Sequence, residues 1–191
     1  MAYNDLREFI KVLEKNGELK RVSAKVDPVL EVAEITDRVS KNYGEALLFE
    51  NVDGSDHDIV INIFGSIKRM CMALEVDDLD DLGERIINLV DKNTPQNFMD
   101  KLKSLPMIME ISNILPKTVK KGACKEVIIK GDDVDLLKFP VIKCWPGDAG
   151  RFITMRCVFT KDPETGTRNC GMYRMQVYDG KTTGMHWHIH H

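Results

Sequence analysis

The last forty residues, 152–191, constrain the fold most, because they alternate strand-forming runs with turn sequences. Residues 152–160 are rich in β-branched and aromatic side chains, and Asp162-Pro163-Glu164-Thr165-Gly166 is strong turn material. Residues 169–178 form a second run, Asp179-Gly180 a second turn, and residues 182–191 a third run. Three runs joined in this way predict an antiparallel meander. Four of the five histidines lie in the final six residues. The last run stops at His190-His191 with no cap, turn or helix after it, so we read the end as a cut through a larger protein. Trp187 and Ile189 interrupt the histidines, which an appended tag would not do.

A chain of 191 residues makes one or two domains and buries roughly 70% of the surface its unfolded form exposes. Hydrophobic residues at 43% and charged residues at 30% are ordinary globular usage, with no repeat or low-complexity tract. The net charge is −3 and the basic residues are spread along the chain, which argues against a nucleic-acid surface. No apolar run reaches bilayer-spanning length, and the polar start Met1-Ala2-Tyr3-Asn4-Asp5 lacks a signal-peptide core. Five cysteines, an odd number without a Cys-x-x-Cys pair, fit reduced thiols and a cytoplasmic location.

The first half alternates helix and strand. Asn4 is placed to cap a helix in which Leu6, Phe9, Ile10 and Leu13 share a face, and Asn16-Gly17 supplies the stop. Residues 19–26 read as a strand with Val22, Ala24 and Val26 inward. Asp27-Pro28 opens a helix running to about Lys41. Residues 46–49 and 59–64 are apolar runs suited to strands buried on both faces. Gly65-Ser66 starts a helix, and residues 79–90 make another. Residues 94–121, with Pro95, Pro106 and Pro116, read as a linker, and strand and turn follow from Cys124. The fold class is therefore α+β, with an α/β domain over residues 1–115 and a mostly β domain beginning at 116.

Strand alternation places His186, His188 and His190 on one face. Three imidazoles at spacing two reach one metal only if the strand bends, so a polar sheet edge competes with a ligand role for each. Asn169 and Arg174 lie on the run expected to pair with this one. An Asn carbonyl oxygen with a His nitrogen makes part of a shell for a divalent cation. Arg174 is either a surface ion-pair partner or an anion clamp, since guanidinium matches carboxylate and phosphate in bidentate geometry. Gly171 inside a strand predicts a bulge or a close backbone approach to a ligand.

Cys144-Trp145-Pro146-Gly147-Asp148-Ala149-Gly150, followed by Phe152-Ile153-Thr154, resembles a signature of the UbiD family of decarboxylases. So do Arg168-Asn169-Cys170-Gly171-Met172-Tyr173-Arg174-Met175-Gln176-Val177 and Thr182-Thr183-Gly184-Met185-His186-Trp187. Tyr3-Asn4-Asp5-Leu6-Arg7-Glu8-Phe9, Asn16-Gly17-Glu18-Leu19, Ile61-Asn62-Ile63-Phe64-Gly65-Ser66 and Arg69 extend the likeness to the N-terminus. Each piece alone is weak, and together, in order, they are specific.

The resemblance implies a carboxy-lyase: a reversible, non-oxidative decarboxylase of aromatic or α,β-unsaturated carboxylic acids. A polyprenyl-hydroxybenzoate of ubiquinone biosynthesis is the family's best-known substrate. It implies prenylated FMN made by a flavin prenyltransferase, with the phosphate held through Mn2+, a monovalent cation such as K+ nearby, and a homo-oligomer. It places a split β-barrel flavin-binding domain, here truncated, after the N-terminal domain. By position, Asn169 and His190 become metal ligands, with His191 the alternative should the alignment slip by one. Arg174 becomes the catalytic contact to substrate carboxylate and cofactor. Met172, Tyr173, His186, Trp187 and His188 line the cofactor. The acidic proton donor and the metal's carboxylate ligand are expected beyond residue 191, so this piece alone is expected to be inactive. Two other readings compete: a non-catalytic fragment or subunit with at most partial flavin-phosphate binding, and a small metalloprotein using the histidines alone.

Overall fold

Asp5 starts the first helix. Its carboxylate accepts from the Glu8 N–H at 2.9 Å, while Asn4 donates to the Glu8 side chain. The cap thus lies one residue later than the sequence suggests, and such a cap is worth about 1 kcal/mol. The computed structural model describes residues 3–90, 118–155 and 157–186. Helix α1, Leu6–Lys15, buries Phe9 and Leu13 and stops at Asn16, followed by Gly17 at φ 70°.

Strand β1, Leu19–Val22, is shorter than expected: Ala24 is exposed, and Val26 returns through a single bridge to Val52. Asp27-Pro28 makes a turn rather than a helix start. The Asp27 carboxylate accepts from Val29 N–H at 2.7 Å, Leu30 takes φ 72°, and helix α2 is Glu31–Lys41. Strand β2, Ala46–Phe49, is buried throughout; β3, Ile59–Ile61, stops where Asn62 turns to φ 61°. Helix α3, Ile67–Leu74, is capped by Ser66, and α4 is Leu79–Val90. The sheet order is β1-β2-β3, with β2 parallel to β1 and antiparallel to β3.

Alternation along β2 divides the core. Leu47 and Phe49 join Val26, Val32, Val52 and Ile59 on one face, and Ala46 and Leu48 join Phe9, Leu13 and Leu19 on the other. Each fully buried Leu or Phe contributes about 2 kcal/mol. α2 packs on the first face through Val32 and α1 on the second through Phe9 and Leu13. Buried on both faces, as the apolar runs predicted, therefore holds for β2; β3 lies at the edge.

Residues 118–138 form short 3₁₀ turns, Ala123–Lys125, Gly131–Asp133 and Leu136–Lys138, where strand was expected. Most of the predicted linker lies outside the described residues. The next segment is tied to the first sheet's region. Lys143 N–H donates to Pro28 carbonyl at 3.1 Å, Leu30 N–H donates to Lys143 carbonyl at 3.0 Å, and Ser55 Oγ donates to Lys138 carbonyl at 2.7 Å. Ile142 packs against the Phe49 cluster.

The expected three-run meander is replaced by two small sheets. β4 (Arg151–Ile153), β7 (Met175–Val177) and β8 (Thr183–Met185) form one, in the order β4-β7-β8. β5 (Val158–Lys161) and β6 (Arg168–Gly171) form the other. All pairs are antiparallel. Each of the first two runs divides in the middle, and the second divides after Gly171, which brings no side chain to the ladder. The chain is thus a mixture of helices and small strand groups, with no closed barrel among the described residues. No helix among them is long and apolar enough to cross a membrane.

Candidate functional site

The turns predicted from sequence hold the site's strands. Asp162 closes β5–β6: its carboxylate accepts from the Thr165 and Glu164 N–H groups, which hold it below the usual carboxylate range. Asp179 does the same for β7–β8 through the Lys181 and Thr182 N–H groups. These carboxylates serve the turns and are not free bases.

Asn169 lies on β6 opposite Thr160 of β5. This corrects the expectation that it shares a sheet with the last strand. Residues 172–174 carry the chain from β6 to β7, so Asn169 and Arg174 sit at the two ends of a short crossing. Tyr173 folds back over Gly171, and its hydroxyl accepts from Asn169 Nδ2 at 3.2 Å. A Cβ on Gly171 would run into the Tyr173 ring. The close approach at Gly171 is to the Tyr173 ring, where the sequence suggested a bulge or a ligand. With the amide nitrogen engaged, Asn169 keeps its carbonyl oxygen, the atom a cation would take, without a partner among the described residues.

Arg174 enters β7 beside β4 and β8. Its carbonyl accepts from His186 N–H at 3.1 Å. Its guanidinium carbon stands 4.6 Å from the centroid of the Phe152 ring. Phe152 pairs with Gln176 and Gln176 with Gly184, so Phe152, Arg174, Gln176, Gly184 and His186 share one face. Two glycines make room on that face for the side chains of Tyr178 and Gln176. A Cβ on Gly184 would strike the Tyr178 hydroxyl, and one on Gly150 would lie 3.2 Å from Gln176 Nε2. Arg174 has no carboxylate partner among the described residues. An exposed guanidinium with its N–H donors free is chemically an anion receptor.

Met172 is exposed, Tyr173 half-buried and His186 exposed, all within this crossing region. Trp187, His188, His190 and His191 lie outside the described residues. Among the described residues no three of His, Cys, Asp and Glu form a metal cluster. The Asn169 carbonyl oxygen is a single oxygen donor, of the kind a divalent cation accepts. Sequence reasoning missed the placement of Phe152 and Gln176 and their packing room at Gly150 and Gly184. Glycines in or beside strands were the available signal.

Two crevices border this face. One, of about 440 Å³, is apolar and lies between residues 59–65, 139–142 and 152–155. The other, of about 700 Å³, joins residues 53–55 to Gly150, Arg151, Gln176 and Tyr178. Neither is lined by Asn169, Arg174 or His186, whose ligand would lie on the open sheet. Cys144 and Cys170 are poor candidate nucleophiles. Burial, then Asp148, pushes the Cys144 thiol up; burial, then the neighbouring Cys157 thiol, pushes Cys170 up.

The described residues thus form a mixed fold of helices and small sheets, with Asn169 on one small sheet and Arg174 at the start of a strand of the other. Residues 10–86 match the family model for the 3-octaprenyl-4-hydroxybenzoate carboxy-lyase N-terminal domain, and residues 117–191 match that for its Rift-related domain. An uncharacterized protein of Archaeoglobus fulgidus is 53% identical over 190 residues, which are 100% of this chain and 38% of that relative. An evolved dimeric form of the UbiD-class enzyme HmfF from Pelotomaculum thermopropionicum, in complex with prFMN, superposes with a TM-score of 0.76 at 28% identity. The match covers 98% of this chain and 39% of that one. The closed form of Sedimentibacter hydroxybenzoicus vanillic acid decarboxylase gives 0.75 at 30% identity, covering 99% and 38%. The chain belongs to the UbiD family, whose members are decarboxylases, and it spans 38–39% of the length of these relatives.

Proposed function

We propose that this chain carries the N-terminal domain and part of the cofactor-binding domain of a reversible, non-oxidative decarboxylase of aromatic or α,β-unsaturated carboxylic acids. The division is set near residue 115. The observation that carries this reading is Arg174, seated on Phe152 with no acid partner among the described residues, across a short crossing from Asn169. The complex of the HmfF relative with prFMN supports the choice of cofactor.

Prenylated FMN, when bound, supplies the electron sink that protein side chains lack for the charge left on carbon by departing CO2. Arg174 orients the substrate carboxylate, a proximity contribution. Asn169 Oδ1 and an imidazole, His190 or else His191, would hold Mn2+, and K+ is the expected monovalent cation. Met172, Tyr173, His186, Trp187 and His188 would line the cofactor. The turn carboxylates Asp162 and Asp179 are committed to backbone N–H groups and are poor sources of the proton that replaces CO2. A polyprenyl-hydroxybenzoate is the first substrate to try, and a cytoplasmic homo-oligomer is the expected form.

The test is purification of the complete polypeptide made together with a flavin prenyltransferase. Mass spectrometry should find modified FMN and manganese, and labelled CO2 should exchange into substrate. A folded protein with neither species would overturn the reading. The competing reading is a piece that folds but does not turn over. It predicts folded protein without exchange.

A further inference from the structure

Arg174 is fixed at two points. Its carbonyl is tied to His186 N–H at 3.1 Å, and its guanidinium lies over the Phe152 ring at 4.6 Å. Phe152 pairs directly with Gln176, so Arg174 is its diagonal neighbour across β4–β7, within reach of a long side chain. The ring is fixed in turn. Phe152 N–H donates to the Ile142 carbonyl at 3.1 Å, and Ile142 packs on the core cluster around Phe49. A continuous path therefore runs from the first core through Ile142 and Phe152 to the Arg174 head.

The partner's chemistry matters. A ring holds the guanidinium through its π face and leaves the in-plane N–H donors free. Cation–π stacking thus restricts rotation of the side chain without competing for the anion.

We propose that Phe152 is a positioning residue of the reaction, orienting Arg174 toward the substrate carboxylate and transmitting the placement set by the N-terminal core through Ile142. This rests on the reading of Arg174 as the carboxylate clamp.

The experiment uses the complete polypeptide loaded with prenylated FMN, in which Phe152 is replaced by mono-, di- and trifluorophenylalanine. Fluorine drains the ring's negative face and barely alters its shape. Decarboxylation kcat/KM should fall stepwise, by about three- to tenfold across the series, with an unchanged melting temperature. F152W should retain activity, and F152L should lose at least as much as the trifluoro variant. In unloaded protein, the Arg174 Nε–H proton should carry an upfield ring-current shift that F152L removes. In an R174Q background the fluorine series should be flat. A flat series in the Arg174 protein, with R174Q impaired, overturns the role of Phe152 alone. Full turnover by R174Q overturns the clamp reading itself, and the role of Phe152 with it.

Discussion

The Asn169 side chain donates to the Tyr173 hydroxyl at 3.2 Å, and the contact exists because Gly171 between them has no Cβ. The tyrosine fixes which end of the amide faces outward. In the proposed site, that end is a metal ligand and Tyr173 is its orienting partner. Removing such a partner typically costs ten- to a hundredfold in metal affinity. Tyr173→Phe in the complete polypeptide should therefore weaken manganese binding by about tenfold. Gly171→Ala, which drives a methyl into the ring, should cost at least as much. Unchanged manganese titrations for both variants would remove Asn169 from the metal shell.

Arg174→Lys keeps the charge and discards the planar fork. Lysine meets a carboxylate as a point charge and stacks less well on Phe152. We expect a folded protein with turnover reduced at least about tenfold, equivalent to roughly 1.4 kcal/mol of transition-state stabilisation. Wild-type rates of CO2 exchange would show that the fork is not used.

Local rules made much of the first half readable. The Asn16-Gly17 stop, the Ser66 cap and the two-faced burial of Ala46–Phe49 follow from propensity and periodicity. The start of α2 did not, because Leu30 at φ 72° is held there by a long-range bond to the Lys143 carbonyl. The second half kept its turns, at Asp162 and Asp179, and changed its strands. Gly171 ends one ladder and Met175 begins another, a division decided by which sheet each segment joins. For the same reason the Phe152–Arg174 contact was hidden. A diagonal pair depends on register, and register is a property of the assembled sheet.

The histidine assignment is tested by separating neighbours. Removing a true ligand should lower manganese affinity by orders of magnitude, whereas removing a sheet-edge His should cost well under about 1 kcal/mol of stability. His190→Ala should release manganese and with it the cofactor phosphate. His57→Ala is the distant control: its ring stacks on Phe139 with centroids 5.0 Å apart, away from Asn169. Manganese lost with His191→Ala instead would move the ligand by one residue. Manganese kept by both variants would make the cluster structural.

Arg69 is 1% exposed, and its Nε has no hydrogen-bond partner among the described residues. Nη1 donates to Glu18 at 3.0 Å and Nη2 to the Gly44 carbonyl at 3.2 Å, so one cation joins the start of β1 to that of β2. Lys68 also reaches Glu18, at 2.7 Å. Glu18→Gln would leave a buried cation without its counter-charge, at a cost of about 3 kcal/mol. Arg69→Met would remove the half-satisfied charge along with its partner bond and should cost less, since an apolar replacement of a buried ion is often tolerated. Lys68 first, and Arg69 as well, hold the Glu18 carboxyl below its ordinary value of 4.5. Its contribution is therefore complete above about pH 4.5 and is lost as the pH falls below that value toward the lowered folded pKa. Amide-exchange protection of β2 in the complete polypeptide should fall as the pH drops below about 4.5, and Glu18→Gln should flatten that fall. Equal acid sensitivity in the two proteins, or a larger loss for Arg69→Met than for Glu18→Gln, would show that this buried pair does not tie β1 to β2.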